Sequence, residues 1–165
     1  NETSQKSISL LKNNQVDLSI GSIEKLTNDL EYKTLWQREL VLICHPEHVL
    51  ASRKQILLKD LEQYKTILLD KKSSTRRIID TVCLDQSVEL NLAMQLSSVE
   101  VIKSLVKSNV AVSLVSKVAV QEDVDRKLLC LVDVKGINQH QQDIALVYKK
   151  DSYQSSALKA FMEFC

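Results

Sequence analysis

The stretch Thr66-Ile-Leu-Leu-Asp70-Lys-Lys-Ser-Ser-Thr75-Arg-Arg-Ile-Ile-Asp80 decides the fold class. It opens with a short apolar run, which is typical of a buried strand, and continues through polar residues that favour a loop. The residues that follow place Ile78, Ile79, Val82 and Cys83 on the inner side of a helix. A strand, a loop and a helix in this order form a βα unit, which predicts a layered α/β domain.

Segments on both sides of this unit repeat the alternation of strand and helix. Upstream we predict a helix that carries Ile8 and Leu11, strands at 16–20 and 39–44, and a helical turn at 59–63. Gly21 is expected to end the first of these strands. Downstream we predict strands at 88–96, 110–115, 128–134 and 143–148, and helices that begin at Ser97 or Ser98, at Ser116 and near the C-terminus. The predicted fold class is α/β, with a largely parallel sheet or sheets.

The composition argues against several functional classes. Lys and Arg number 22 and Asp and Glu 21, a formal net charge of +1, so the chain lacks the basic excess that duplex binding requires. Its two glycines, Gly21 and Gly136, cannot build the glycine-rich phosphate loops of nucleotide-binding folds. The sequence contains no run of about eighteen apolar residues, which is the pattern that predicts a membrane span. Because the chain begins with Asn1 and passes at once into a helical pattern, we expect that an upstream part has been removed.

The cysteines and histidines show no pattern of a metal or catalytic site. The four cysteines are far apart, without a C-x-x-C pair or a nearby histidine at ligand spacing: Cys44, Cys83, Cys130 and Cys165. A reduced, cytoplasmic setting is expected, and Cys44 and Cys130 are predicted to pack in the core because they lie in apolar runs. The three histidines accompany no nucleophile or zinc-binding motif. We therefore predict no metal, no cofactor and no catalytic residue.

The order of short motifs resembles the effector-binding domain of LysR-type transcriptional regulators. Leu10-Leu11-Lys-Asn-Asn-Gln-Val16-Asp17-Leu18-Ser19-Ile20-Gly21 is similar to the family segment L-L-x-x-G-x-(L/V)-D-L-x-I. Arg38-Glu-Leu-Val-Leu-Ile-Cys-His-Pro-Glu-His48-Val49-Leu50-Ala51 is similar to its strand and P-x-H-P-L-A turn, and Leu58-Lys-Asp60-Leu61 to its L-x-D-L. Ser73-Ser-Thr-Arg76-Arg-Ile-Ile-Asp80 and Ser97-Ser98-Val-Glu-Val-Ile-Lys-Ser-Leu-Val106 resemble two loop-to-helix segments of the family. The clearest departure is Ser108-Asn109, where the family has glycine, although asparagine can also end a helix.

The resemblance implies a two-lobed fold like that of type II periplasmic binding proteins. Residues 1–64 and 117–165 would form lobe I, which is expected to be incomplete, and residues 65–116 would form lobe II. The implied function is a ligand-sensing regulatory domain that binds a small effector between the lobes and self-associates as a homodimer or tetramer. DNA would be reached only through an N-terminal domain absent from this sequence. The alternatives on this fold are a transport-type solute-binding protein and an enzyme.

The first candidate effector ligands are Ser73, Ser74, Thr75 and Arg76. Hydroxyls, backbone amides and a guanidinium at a helix start can converge on a carboxylate or an inorganic anion, and the resemblance places effector contacts in this loop. The alternative is that the hydroxyls only cap the helix.

Three further pairs lie where a strand begins or ends: Ser97 and Ser98, Gly21 and Ser22, and Arg38 and Glu39. The first pair begins a second helix, and capping is an equal alternative. The second pair follows a strand at the edge where open α/β sheets bind ligands, and an ordinary turn is the alternative. In the family the third pair begins a strand that reaches towards the cleft, and a solvated strand end is the alternative.

Overall fold

The structure, a computed structural model, describes residues 4–23, 27–140, 143–150 and 156–164. These residues contain the helices α1 (Ser4–Lys12), α2 (Ser74–Asp85), α3 (Val99–Lys107), α4 (Gln121–Asp125) and α5 (Ser156–Phe164). The strands are β1 (Leu18–Ser22), β2 (Leu30–Gln37), β3 (Leu40–Cys44), β4 (Gln55–Leu57), β5 (Thr66–Leu69), β6 (Leu92–Leu96), β7 (Ser113–Ser116), β8 (Cys130–Lys135) and β9 (Asp143–Lys149). Short 3-10 turns lie at Leu58–Gln63, Lys117–Ala119 and Ile137–His140.

The chain divides into two compact units. Unit 1 comprises Asn1–Arg38 and Gln141–Cys165, and unit 2 comprises Glu39–His140. These limits differ from the lobe boundaries at 64/65 and 116/117 that the family resemblance implies. The reason is strand pairing, because β3 pairs with both β7 and β8 and so joins residues 39–64 and 117–140 to the segment between them.

Unit 1 is built on an antiparallel sheet with the strand order β1-β9-β2. Leu11 of α1 packs with Leu30 and Val147 in a small core on one face of this sheet. On β2, the Lys33 ammonium donates a hydrogen bond to the Met162 carbonyl of α5 at 3.0 Å. The returning strand β9 thus joins the two parts of unit 1.

Unit 2 combines a four-stranded sheet, in the order β4-β8-β3-β7, with the parallel pair β5-β6. A parallel bridge between Thr66 and Val112 connects β5 to the segment that leads into β7. The Ile67 amide donates to the Val112 carbonyl at 2.9 Å, which extends the hydrogen bonding across this junction. The strands of unit 2 therefore form one hydrogen-bonded layer.

Helices cover both faces of this layer. Ile79 and Val82 of α2 belong to one core cluster together with Leu42, whereas Ile102 and Val106 of α3 belong to the other cluster together with Ile43. Side chains alternate between the two faces of a sheet along a strand. The continuous apolar run of β3 therefore contributes to the cores on both faces. The predicted α/β layering is confirmed.

The structure confirms that Asn109 can end a helix where the family has glycine. Its φ is 55°, in the left-handed region where glycine is common, and it follows the end of α3 directly after Ser108. Asparagine tolerates this conformation better than most residues, so the helix ends without glycine. Asn14 has a φ of 56° beyond the end of α1 and serves in the same way.

Several expectations about strands are wrong. Antiparallel pairing joins β1 and β2 to β9 and β3 to both β7 and β8, so the sheets are not largely parallel. Gly21 does not end β1, because it pairs with Ala145 and the strand continues to Ser22. The strand predicted at 88–96 is confined to β6, and β2 was not predicted. Val88 and Leu90 instead pack against the core cluster that contains the α2 residues.

Candidate functional site

Two helices of unit 2 begin at the same edge of the β5-β6 pair. Because β5 and β6 are parallel, their carboxyl ends lie side by side, and the Asp70 amide donates to the Leu96 carbonyl at 2.9 Å. The loop after β5 leads into α2, and the loop after β6 leads into α3. Helix N-termini present backbone amides without partners inside the helix and carry partial positive charge. This edge is therefore a candidate site for an anion.

A tight turn places the hydroxyls at the start of α2. The amides of Lys72 and Ser73 donate to the carboxylate and the carbonyl of Asp70, at 3.0 and 3.1 Å. Ser73 is the residue before the helix, and its side chain makes no capping hydrogen bond. Ser74 is half-buried and Thr75 is buried. The capping alternative thus does not account for Ser73.

Arg76 has a structural role that the sequence did not predict. Its side chain is buried, and its Nε donates to Asp80 Oδ1 at 2.7 Å. Its Nη1 donates to the Leu69 carbonyl at 3.1 Å and to Gln95 Oε1 at 3.0 Å. The guanidinium therefore links α2 to the ends of β5 and β6 through hydrogen bonds. The arginine and the aspartate four positions later were visible in the sequence, but the contact with Gln95 depends on the pairing of two strands.

The start of α3 matches the capping alternative in part. Ser98 is the N-cap residue, and its hydroxyl accepts a hydrogen bond from the Val101 amide at 3.4 Å. Ser97 is exposed between β6 and α3. The structure thus brings Ser97 and Ser98 to the edge that carries the start of α2, and it assigns a cap to Ser98.

The remaining predicted residues lie elsewhere in the chain. Gly21 and Ser22 belong to β1 in unit 1, where Ser22 is buried and pairs with Ile144. Arg38 is the last residue of the first part of unit 1. Glu39 accepts a hydrogen bond from the Lys117 ammonium at 2.9 Å, so it forms an ion pair within unit 2 and is not only a solvated strand end.

An open depression of about 620 Å³ lies at the other end of β6. It is lined by Glu62, Glu89, Leu90, Asn91 and Leu92. Glu62 accepts a hydrogen bond from the Glu89 amide at 3.1 Å, which ties the two acidic positions together. Carboxylates disfavour an anion. This depression therefore does not share the chemistry of the helix starts.

The described ranges of the chain contain no group of three or more His, Cys, Asp or Glu side chains that could hold a metal ion. None of their helices is both long and apolar enough to cross a membrane.

The chain is similar in sequence to proteins named as transcriptional regulators. A protein of Cyanidium caldarium named "Probable RuBisCO transcriptional regulator" is 32% identical over 155 residues, which are 90% of this chain and 49% of that protein. The malolactic fermentation system transcriptional activator of Lactococcus lactis is 31% identical over 164 residues, which are 97% of this chain and 55% of that protein. The chain thus spans about half the length of these curated relatives.

A solved structure shows the same fold. The effector binding domain of QuiR in complex with shikimate matches with a TM-score of 0.82 and 25% identity, over 99% of this chain and 76% of that one. The family model described as LysR substrate binding domain matches residues 1–165. The chain belongs to the LysR substrate-binding-domain family.

Proposed function

We propose that this chain is the ligand-sensing regulatory part of a LysR-type transcriptional regulator and that its effector is a small carboxylate or inorganic anion. The observation that carries the proposal is the pair of helix starts, α2 and α3, at the carboxyl edge of β5 and β6. The relatives named as transcriptional regulators and the shikimate complex of a similar domain support it. Sensing, and not catalysis, is the role that this edge favours.

The chemistry of the helix starts favours a negative charge. Ser73, Ser74, Thr75 and Ser97 add hydroxyls to the backbone amides, and shikimate is itself a carboxylate. Each charge-assisted hydrogen bond contributes about 1.5–3 kcal/mol, so two or three can give roughly micromolar affinity after ordering costs. Because Arg76 is engaged by Asp80, Leu69 and Gln95, we infer that this predicted contact orients the loop and leaves recognition of the anion to the hydroxyls and amides. The effector contacts expected at Gly21, Ser22 and Ser98 stay predictions.

The experiment is calorimetry of this chain with shikimate, sulfate and inorganic phosphate. We expect at least one of these anions to bind, and we expect the double change Ser74→Ala with Thr75→Val to weaken it about tenfold, roughly 1.4 kcal/mol. The matched controls are Thr81→Val on α2 and Ser104→Ala on α3, whose hydroxyls donate to carbonyls of their own helices. Both controls should bind like the unaltered chain. A panel without any binder, or a double variant within about twofold of the unaltered chain, contradicts the anion site.

A transport-type solute-binding protein is the second candidate function, because the fold is shared. The upstream coding sequence separates the two. A helix-turn-helix domain there supports a cytoplasmic regulator that reaches DNA through that domain, whereas a secretion signal supports the transport protein. Self-association of the regulator is part of the first proposal, and its test is given with the whole molecule below.

A further inference from the structure

Lys117 lies at the same edge of unit 2 as the two helix starts. The parallel bridge between Thr66 and Val112 shows that β7 runs in the same direction as β5. Because β6 is also parallel to β5, the carboxyl ends of all three strands lie along one edge. The strand β7 ends at Ser116, so Lys117 is the first residue beyond it.

The register brings Lys117 close to the loop that leads into α2. Asp70 is four positions after Thr66, and Ser116 is four positions after Val112, so continuing the register from the bridge places Ser116 about level with Asp70. Neighbouring strands are roughly 4.8 Å apart. The flexible four-carbon stem of the Lys117 side chain can cover such a distance.

Glu39, the residue before β3, holds the Lys117 ammonium. Lys117 Nζ donates to Glu39 Oε2 at 2.9 Å, and the Lys117 amide donates to the Glu39 carbonyl at 2.9 Å. The hydrogen bond with the Glu39 carboxylate raises the pKa of Lys117, so the ammonium is charged at neutral pH. The two side chains are 42% and 45% exposed. Ion pairs with this exposure contribute little to stability, so the ammonium can exchange Glu39 for another anion at small cost.

Other cations at this edge are less suited to bind an anion directly. The Arg76 guanidinium is already bound to Asp80, to the Leu69 carbonyl and to Gln95. The side chains of residues 71 and 72, both lysines, are exposed, so water and salt screen their charges. Lys117 is half-buried, which favours a stronger interaction with an anion at the same edge.

We propose that Lys117 is a ligand of the anionic effector and that Glu39 competes with the effector for its ammonium. The proposal rests on the anion site proposed above and adds to it a cation from the end of β7. When the effector binds, it replaces the Glu39 carboxylate at Lys117 Nζ, and Glu39 is released to water. Removing the lysine should therefore weaken binding, whereas removing the charge of Glu39 should strengthen it.

The experiment is calorimetry with shikimate, sulfate and inorganic phosphate at fixed ionic strength. It compares the unaltered chain with Lys117→Met, Lys117→Arg and Glu39→Gln, and with the double variant that combines Glu39→Gln and Lys117→Met. The matched controls are Arg126→Met and Glu122→Gln, which remove the same charges from an exposed ion pair at 2.7 Å elsewhere in unit 2. The variant with Ser74→Ala and Thr75→Val tests the anion site itself.

We expect Lys117→Met to weaken binding about tenfold, Lys117→Arg to bind within about twofold of the unaltered chain, and Glu39→Gln to bind about threefold more tightly. Both controls should bind like the unaltered chain. The double variant should bind no more tightly than Lys117→Met alone, because the gain from removing Glu39 requires the lysine.

The outcomes separate this proposal from the anion site. If Ser74→Ala with Thr75→Val weakens binding but Lys117→Met binds like Arg126→Met, the anion site stands and the role of Lys117 is wrong. If Glu39→Gln strengthens binding as much with methionine at position 117 as with lysine, Glu39 acts through general charge and the competition is wrong. If neither the unaltered chain nor Glu39→Gln binds any of the three anions, both proposals fail.

Discussion

At the scale of single residues, the partners of the buried Arg76 side chain define its role. The Arg76 guanidinium loses most of its hydration, and a buried cation needs both a counter-charge and acceptors for its remaining protons. Asp80 supplies the charge, and Leu69 and Gln95 supply the acceptors. Arg76 therefore supports the shape of the proposed site, and recognition is proposed to depend on the hydroxyls and amides at the helix starts.

Cys44 gives a prediction at this scale. It is fully buried opposite Cys130 on β8, and burial, with a smaller contribution from Cys130, raises the pKa of its thiol from 9.0 to about 12. We expect iodoacetamide to modify Cys44 at pH 8 about a hundredfold more slowly, or slower still, in the folded chain than in the unfolded chain. Mass spectrometry of the Cys44 peptide measures this rate, with the chain in guanidinium as the control.

The same shift sets the sign of a stability change. The unfolded chain loses the Cys44 proton near pH 9.0, whereas the folded chain keeps it until about pH 12. The contribution of Cys44 to stability is therefore complete below pH 9 and is lost as the pH rises towards 12. A Cys44 modification rate in the folded chain within about tenfold of that in the unfolded chain would contradict the burial of this thiol.

At the scale of elements, the sequence predicts where buried helices and strands lie better than it predicts how strands pair. The helix α3 buries Ile102 and Val106 at helical spacing, so its pattern is local and visible. The strand β2 is mostly exposed and has no apolar run, and it is a strand because it pairs with β9. Strand direction also depends on distant partners, which explains the wrong expectation of parallel sheets.

Only part of the candidate site could be predicted from the sequence. Hydroxyls at two helix starts were predictable, because serine and threonine next to an apolar helical pattern mark N-termini. Their position at one edge depends on the parallel pairing of β5 and β6, which at this pair agrees with the parallel arrangement expected from the order of strands and helices. The contacts of Arg76 with Gln95 and of Lys117 with Glu39 join residues distant in sequence, and neither has a local signal.

The contact between α3 and α4 gives a prediction at the scale of elements. Asp123 accepts from the Lys103 ammonium at 2.8 Å and also pairs with Lys107, and these two bonds, the one from Lys103 first, lower the pKa of its carboxyl below 3.8. We expect Asp123→Asn to lower the free energy of unfolding at pH 7 by about 1–3 kcal/mol, because Lys103 is buried and would lose its main counter-charge. Urea unfolding measures the change.

The contribution of Asp123 to stability depends on pH. Because the pKa of Asp123 is lowered in the folded state, its contribution is present above pH 3.8 and is lost as the pH falls through the folded-state value. The difference between Asp123→Asn and the unaltered chain should thus shrink in strong acid. Asp125→Asn, an exposed carboxylate of the same helix, is the control. Equal effects of the two substitutions at pH 7 would show that the contact with α3 contributes nothing.

At the scale of the whole molecule, charge and sheet edges determine which large partners are favoured. The net charge of +1 gives little attraction to a phosphate backbone. In the sheet of unit 1, β1 and β2 are the outer strands, and Ile20, Tyr32 and Trp36 on them are about half exposed. Outer strands with apolar side chains favour pairing with another chain. We therefore expect contacts with protein and not with DNA.

Analytical ultracentrifugation tests both expectations in one experiment. At about 100 μM the chain should sediment as a dimer or larger species, because the outer strands of unit 1 favour self-association. A labelled DNA duplex at physiological salt should sediment as it does alone. Bovine serum albumin at equal mass is the control for crowding. A clean monomer at this concentration contradicts self-association, and nanomolar, sequence-dependent co-sedimentation of DNA contradicts the second expectation.

Unit 1 consists of two segments that are separated in the sequence, and this separation affects the order in which the units can fold during synthesis. Unit 2 is one continuous segment, so its contacts can form as soon as residues 39–140 have left the ribosome. In the described sheet β1 and β2 both pair with β9, which begins at Asp143. Until that strand emerges, β1 and β2 lack the strand that lies between them in the described sheet, and a loop of about a hundred residues must close to provide it. Unit 2 is therefore expected to complete its folding before the sheet of unit 1, although β1 and β2 come earlier in the sequence.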